Sequence, residues 1–505
     1  MLFLAPLLAF FGACLLEALL LRPRCGWRRP VGAWALQAGL ILAVYALGLA
    51  VFQRPWFAAA QTLAWYLFIL VVNRVKLASL REPFVFQDFE YFVDLLRHPR
   101  LYLPFFGYFN AFLGIAGAGL LIAAGLWLEP GLWQQQGAWG FWRALLFSAG
   151  GALGLLWLGA RAARGLLPVF DASADVARFG LLASFWLYAR AERVLPALPS
   201  RFAGLAVPEG EAPHVVVVQS ESFFDARRVY EGVAPSVYAW LDKARADAVQ
   251  HGLLDVPAWG ANTVRSEFAF LSGLRDDALG VHRFNPYRCL REVDTLAQAL
   301  RRAGYRTVCV HPYAAGFYRR DRQFPLFGFD EFIDVGAFSV SDRAGAYVGD
   351  VALAEKVAEL LQAAGPVFVF VITMENHGPL HLESVSAADE AALYASPPPP
   401  GHAELTAYLR HIVNAGQMQQ RLRAALAQSE RDGWLCWYGD HLPIMPAVYR
   451  QAGFDDARTD YFIWHVSAAG GEPVREDLHM AALAECLLRT MQWRSGEADK
   501  GPEFL

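Results

Sequence analysis

The chain has 505 residues, 55% of them hydrophobic, and a formal net charge of −4. That length allows more than one domain, the apolar content is high for a wholly soluble protein, and the missing basic excess argues against nucleic acid as a partner. The apolar residues are unevenly spread: 1–165 holds long apolar segments, whereas 206–495 has the mixture of an ordinary globular domain, followed by a short tail, 496–505.

Five segments approach the roughly 20 apolar residues that cross a bilayer as helix: Leu2–Leu21, Val31–Phe52, Trp56–Val72, Ala111–Leu128 and Phe141–Ala160. The first has no small-residue cleavage site and four more come after it, which argues for an anchored multi-pass domain rather than a removed leader. Glu17 lies inside that first segment, where a carboxylate is costly in lipid and is expected to face other helices or an edge. Trp27, Trp34, Trp56, Trp127, Trp133 and Trp142 sit near segment ends, as interfacial anchors do. Basic residues cluster after the first segment (Arg22, Arg24, Arg28, Arg29) and after the third (Arg74, Lys76, Arg81, Arg97, Arg100), and none lies in Glu129–Gly140. With five spans, the positive-inside rule puts the C-terminal domain in the cytoplasm. An extra crossing or re-entrant piece within Phe84–Tyr108 would reverse that placement.

Residues 166–205 read as a linker at the membrane surface. Asp171–Tyr188 looks like an amphipathic helix, and Pro196, Pro199 and Pro208 punctuate the chain beyond it.

The soluble half alternates strands and helices. Strands are predicted at His214–Gln219, Thr307–Val310, Val367–Thr373, Trp434–Trp437 and Phe462–Ser467. Helices are predicted at Pro235–Val249, Thr263–Leu271, Asp294–Ala303, Gly349–Ala364, Ala403–Ala427 and Glu476–Met491. Alternation with near-continuous apolar strands predicts a mainly parallel sheet with helices on both faces. Of the six cysteines, Cys289, Cys309, Cys436 and Cys486 lie in this half, widely spaced and without a CxxC zinc pattern. Cys309 and Cys436 fall inside predicted core strands, which favours buried free thiols.

Four of these strands run into polar residues suited to a metal or a phosphate: Glu221, His311, His377 and the pair Asp440–His441. Ligands in open α/β sheets bind at the carboxyl ends of strands, so four such ends point to one active site. A carboxylate and an imidazole side by side in Tyr438-Gly439-Asp440-His441 offer mixed oxygen and nitrogen ligation, with Gly439 permitting a sharp turn. Thr263 follows the Gly-rich Gly260-Ala261-Asn262 at a helix start, where backbone N–H groups and the helix dipole suit an attacking hydroxyl and a phosphate oxygen. On this segment alone a simple N-cap is the stronger reading, and metal ligands elsewhere shift the balance toward the nucleophile. Arg320, in Tyr318-Arg319-Arg320-Asp321, could clamp a phosphate or form an ordinary ion pair. His377, in Glu375-Asn376-His377-Gly378, could bind a phosphate oxygen or protonate a leaving group.

Taken together, the order Glu221, Thr263, Tyr318-Arg319-Arg320-Asp321, His377 and Asp440-His441, behind about five membrane helices, resembles the lipoteichoic acid synthase and phosphoglycerol transferase family of the alkaline phosphatase/sulfatase superfamily. The resemblance implies that Glu221, Thr263, Asp440 and His441 hold one divalent ion, typically Mn2+, with Zn2+ or Mg2+ as alternatives. It implies that Thr263 is the nucleophile, that Arg320 and His377 bind the phosphoryl group or glycerol head, and that His311 lines the pocket. Tyr318 stands where the family can carry tryptophan. The implied reaction moves glycerol phosphate from phosphatidylglycerol to a hydroxyl of an envelope glycan or polymer, through a phospho-threonine intermediate, on the outer face of a bacterial inner membrane. That placement conflicts with the five-span charge count, and the outer face is the expectation adopted. Sulfatase chemistry is disfavoured because Thr263-Val264-Arg265-Ser266 lacks the Cys/Ser-x-Pro-x-Arg pattern. The alternatives are a phosphoethanolamine transferase acting on lipopolysaccharide or another envelope glycan, a catalytically inactive lipid or glycan sensor, and a transporter with a regulatory domain. The few intramembrane ionisable residues argue against the transporter.

Overall fold

The computed structural model describes residues 4–90, 92, 97–205, 211–467 and 471–493, and the expected tail 496–505 lies outside them. The chain divides into two compact units, 1–194 and 195–505.

The first unit contains helices α1 (Leu4–Leu20), α2 (Val31–Phe52), α3 (Pro55–Leu80), α4 (Pro99–Phe106), α5 (Tyr108–Leu128), α6 (Leu132–Ala162), α7 (Ala172–Phe179) and α8 (Leu181–Ala191). Among the described residues, four stretches are long and apolar enough to cross a membrane: Val31–Phe52, Pro55–Leu80, Tyr108–Leu128 and Leu132–Gly165; Leu4–Leu20 is apolar but shorter. Within 84–108 the elements described in full are the 3-10 turn Phe86–Glu90 and the eight-residue α4, each too short to span, and the extra crossing or re-entrant piece considered there falls partly on 91 and 93–96, outside the described residues. Small residues let α2 and α6 approach closely. A Cβ on Gly159 would lie 2.8 Å from the Leu36 backbone nitrogen, and one on Gly39 would lie 2.9 Å from that of Leu156. Glu17 faces other elements of the unit: it is buried and pairs with Arg29 at 3.1 Å and with Gln37 Nε2 at 2.7 Å. The expected single amphipathic helix over Asp171–Tyr188 is instead two, broken at Gly180 (φ 82°). Val176, Leu181, Leu182 and Phe185 are buried in the core of this unit, so the apolar side of both helices is covered by protein.

The second unit is built on a mixed, mainly parallel sheet. Its elements are β1 (His214–Ser220), α9 (Pro235–Ala246), β2 (Gln250–Asp255), α10 (Thr263–Ser272), α11 (Leu296–Arg302), β3 (Arg306–Val310), α12 (Arg320–Phe327), β4 (Glu331–Ile333), β5 (Arg343–Ala344), β6 (Tyr347–Val348), α13 (Asp350–Leu360), β7 (Val367–Ile372), α14 (Ala387–Leu393), α15 (Ala403–Gln428), β8 (Gly433–Gly439), α16 (Pro446–Ala452), β9 (Thr459–His465), β10 (Val474–Arg475), β11 (Leu478–His479) and α17 (Met480–Thr490). The strand order is β10-β2-β9-β8-β1-β7-β3-β4, with β11 also on β2 and the β5–β6 hairpin separate. The four strands with polar ends, β8, β1, β7 and β3, are neighbours and mutually parallel, so all four deliver their carboxyl ends to one edge. Among the described strands of this sheet, β9 alone runs antiparallel to both its neighbours, β8 and β2.

Successive strand side chains point to opposite faces, and the Val215-Val216-Val217-Val218 run of β1 shows why the sheet is covered twice. Val216 and Val218 enter one core with Leu353, Leu409 and Leu422 of α13 and α15. Val215 and Val217 enter the other with Phe268, Leu296 and Leu483 of α10, α11 and α17. The register pairs Ser220 with Gly439, so Glu221 and Asp440 each come one peptide later on adjacent strands. Cys289, Cys309, Cys436 and Cys486 are buried free thiols, and burial raises all four pKa values.

Candidate metal and phosphotransfer site

Glu221, Asp440 and His441 come together at this edge, with one ligand atom from each within 4.8 Å of the others. All three are buried. His441 Nε2 lies 3.3 Å from Asp440 Oδ2 and 3.7 Å from Glu221 Oε1. Its Nδ1 sits 3.0 Å from the Leu442 carbonyl. That contact assigns a proton to Nδ1 and makes Nε2 the nitrogen that faces the carboxylates. Asp440 Oδ1 accepts from the backbone N–H groups of Ser222 (2.9 Å) and His441 (3.0 Å). Asp440 Oδ2, in contrast, is buried and has no hydrogen-bond partner. A buried carboxylate oxygen is costly unless something positive meets it, and with an imidazole nitrogen and a second carboxylate beside it the donor set fits a divalent cation. Burial pushes the Asp440 carboxyl up to about 7; His441 opposes the shift and Glu221 adds to it. Burial opposes the charge on His441, but Asp440 and Glu221 hold its pKa above the ordinary value.

Thr263 is the first residue of α10, its Oγ 3.5 Å from His441 Nε2. Asn262 before it takes a left-handed conformation (φ 67°) that turns the chain into the helix. All ten residues of α10 are buried, so the hydroxyl is mounted on an inner helix whose first N–H groups point toward it. Ser266, one turn on, donates to the Asp440 carbonyl at 2.7 Å and ties α10 to the end of β8. Gly439 is required for close approach rather than for a special torsion: a Cβ there would collide with the Phe223 carbonyl oxygen.

The remaining residues expected in the site fall into two groups. Arg320 is buried and ion-paired with Glu267, Nη2 with Oε1, while Nε reaches Glu267 Oε2 at 3.4 Å. Its Nη1 donates to His311 Nε2 at 3.1 Å, and His311 Nδ1 lies 3.1 Å from the Ile372 carbonyl. Tyr287 donates to the same glutamate. Burial, then Arg320, hold the His311 pKa well below its ordinary value, so it is a neutral imidazole with both nitrogens engaged. Tyr318 and Arg319 before the helix both have positive φ (54° and 55°), and the Arg320 guanidinium lies 5.2 Å over the Tyr318 ring. His377 has different hydrogen-bond partners. Its Nδ1 is 2.7 Å from the Gly378 carbonyl, and the Tyr347 hydroxyl, from the β5–β6 hairpin, is 3.4 Å from the same nitrogen.

Several residues at the site carry no signal in the sequence pattern. Thr373 Oγ1 accepts from Glu221 N–H at 2.9 Å, and Asn376 Nδ2 donates to the Glu221 carbonyl at 3.2 Å, so the His377 loop is tied to the Glu221 turn. Glu375 is held by the Asp350 N–H (2.7 Å), His411 Nδ1 (3.2 Å) and Asn414 Nδ2 (2.5 Å). The other nitrogen of His411 reaches Glu383 at 2.9 Å. Burial opposes protonation of His411, but Glu375 and Glu383 raise its pKa to about 9, so at neutral pH a buried imidazolium bridges two carboxylates. The nearest sequence signal is Glu375 itself, two residues before His377; the partners on α15 are reached only through the fold.

The Sulfatase family profile matches residues 213–479. The capsular polysaccharide biosynthesis protein RkpI of Rhizobium meliloti (strain 1021) is 31% identical over 451 residues, covering 84% of this chain and 80% of that protein. Among solved structures, the integral membrane lipooligosaccharide phosphoethanolamine transferase A (EptA) of Neisseria meningitidis aligns over 94% of this chain and 97% of its own, with a TM-score of 0.56 at 13% identity. The Streptococcus pyogenes phosphoglycerol transferase GacH covers 60% of this chain and 78% of its own, with a TM-score of 0.46 at 20% identity.

Proposed function

The chain belongs to the sulfatase family of the alkaline phosphatase superfamily, and on that premise we propose that it is a metal-dependent phosphoglycerol transferase that feeds on a membrane lipid. The observation that carries this reading is the Thr263 hydroxyl at a buried helix start, 3.5 Å from His441 Nε2 and so beside the Glu221, Asp440 and His441 cluster. Glu221, Thr263, Asp440 and His441 would hold the ion, with Mn2+ as the proposed metal. When bound, such an ion lowers the pKa of a coordinated hydroxyl and offsets charge on phosphoryl oxygens.

In the first step Thr263 Oγ attacks the phosphorus of phosphatidylglycerol, and the bond to diacylglycerol breaks. Diacylglycerol leaves with a proton, and glycerophosphate stays on Thr263. In the second step an acceptor hydroxyl attacks the same phosphorus and Thr263 is released with its proton restored. The N–H groups at the start of α10 favour negative charge on the phosphoryl oxygens. His377, with Nδ1 engaged by Gly378, offers Nε2 to the leaving or entering oxygen. Arg320, held in place by Glu267, and His377 bind the phosphoryl group or the glycerol head, His311 lines the pocket, and Tyr318 contacts the head group. The acceptor is an envelope glycan, in keeping with the capsular polysaccharide role named for the 31% identical relative. The catalytic unit works on the outer face of a bacterial inner membrane, where such acceptors lie; labelling a cysteine introduced on its surface in intact cells tests that placement.

Mass spectrometry of the Thr263 peptide after incubation with phosphatidylglycerol and Mn2+ tests the donor and the nucleophile together. A glycerophosphate adduct on Thr263 is expected. A phosphoethanolamine adduct, formed only with phosphatidylethanolamine, would transfer the reading to that head group, and tight Mn2+ binding with no adduct from either lipid would point to a sensor.

A further inference from the structure

We propose that Ser222 is a positioning residue of the cation site, one that fixes the orientation of all three candidate ligands at once; the inference rests on reading Glu221, Asp440 and His441 as ligands. Ser222 is buried, with a φ of 55°. That left-handed region is the natural place for glycine, and an L residue held there inside a protein is strained. The strained torsion lets one residue make contacts in three directions. Its N–H donates to Asp440 Oδ1 at 2.9 Å. Its hydroxyl donates to Glu221 Oε1 at 2.9 Å and lies 3.4 Å from His441 Nδ1. Its carbonyl accepts from the Tyr408 hydroxyl at 3.1 Å, which ties the turn to α15.

These contacts divide the labour within the Asp440 carboxylate and hold the Glu221 carboxylate in place. Asp440 Oδ1 is occupied by the Ser222 and His441 N–H groups, so Oδ2 is the oxygen left unpaired toward the site. The Ser222 hydroxyl holds the Glu221 carboxylate in the rotation that places Oε1 3.7 Å from His441 Nε2. The N–H contact needs only the backbone and would survive in glycine, the residue the torsion favours. The contact that glycine cannot make is the one from the hydroxyl. Serine at a glycine-like position is therefore explained by what its hydroxyl does to Glu221 and His441, and groups that orient metal ligands in this way commonly change metal affinity by 10- to 100-fold when removed.

The test uses the full-length protein in detergent and Mn2+ as the probe. Mn2+ affinity is measured by competition with a fluorescent chelator, and thermal unfolding is followed in EDTA. Ser222→Gly is expected to unfold in EDTA at the wild-type temperature or higher while binding Mn2+ roughly 10- to 100-fold more weakly. Ser222→Ala provides the same readout with the Cβ retained, and if it fails to fold, Ser222→Gly alone carries the test. Wild-type affinity, within twofold, in Ser222→Gly overturns the proposal, as does an affinity loss accompanied by a lowered unfolding temperature in EDTA. Glu221→Gln separates the two levels of inference. Loss of Mn2+ binding there with no change in Ser222→Gly refutes only the role of Ser222, whereas unchanged binding in Glu221→Gln removes the site itself.

Discussion

Replacing His411 by glutamine removes the positive charge from between Glu375 and Glu383 and should make the protein's stability respond to pH in a specific way. The imidazole is nearly buried and its pKa is raised to about 9, against an ordinary value of about 6.5. A group whose folded-state pKa lies above its unfolded one stabilises the fold fully below the unfolded value and loses that contribution as pH rises through the folded value. The separation corresponds to about 3 kcal/mol, similar to the roughly 3–5 kcal/mol seen when one partner of a buried ion pair is removed. For a unit of this size that is a shift of roughly 5 °C in unfolding temperature. The assay is unfolding of the detergent-solubilised wild type and His411→Gln at pH 6 and at pH 10. Buried cysteine thiols also cost stability at high pH, because their pKa values are raised in the fold, but they do so in both proteins and drop out of the difference. The wild type should be more stable by about 3 kcal/mol at pH 6, and most of that advantage should be gone at pH 10. An advantage that is constant across this range, or larger at pH 10, would refute the doubly paired imidazolium.

The site itself supports further expectations. Thr263→Ala should abolish transfer and the covalent adduct while leaving the unfolding temperature in EDTA within a few degrees of wild type, because the side chain lost is small and lies at a helix end; residual turnover above the uncatalysed rate would exclude it as nucleophile. Arg320→Met should destabilise by about 3–5 kcal/mol by leaving Glu267 charged and buried, and adding Glu267→Gln should recover most of that loss in a double-mutant cycle of unfolding free energies. Gly439→Ala should cost about 1–3 kcal/mol and weaken Mn2+ binding, because its methyl group would push the Asp440 turn away from Phe223. EDTA should abolish activity and Mn2+ should restore it, with Mg2+ and Zn2+ compared in parallel.

The sequence reads most clearly where a few residues decide the outcome locally. The Val215–Val218 run and the Trp434–Trp437 run are apolar on both faces, which identifies central strands, and a polar residue just beyond such a strand has few places to go other than the sheet edge. Thr263 is legible as a helix start from Gly260 and Asn262. Strand β2 is not, because Gln250-His251-Gly252 is polar and lies toward the edge of the sheet, where only some of its residues are buried. The Arg320–Glu267 pair joins residues 53 positions apart, and the His411–Glu375 pair residues 36 apart; neither partner announces the other in a single sequence. Ser222 is hidden for a different reason: its part depends on a backbone torsion, and nothing in the letters Ser-Glu-Ser specifies one. The helices over 172–191 read as one surface element because apolar periodicity cannot say whether lipid or protein covers the apolar side.

The pairing of Ser220 with Gly439 in the ladder between β1 and β8 means that two of the candidate ligands are set by strand registration. Slipping either strand by one residue would turn its side chains to the opposite face, so the ion site could not drift without dismantling the sheet. His377, Tyr318 and Tyr347 belong to loops and a two-stranded hairpin, which tolerate change far better than a central strand does. On the proposed function, descendants of such a protein could therefore exchange head groups and acceptors by altering loops while inheriting the same candidate ion-binding corner unchanged.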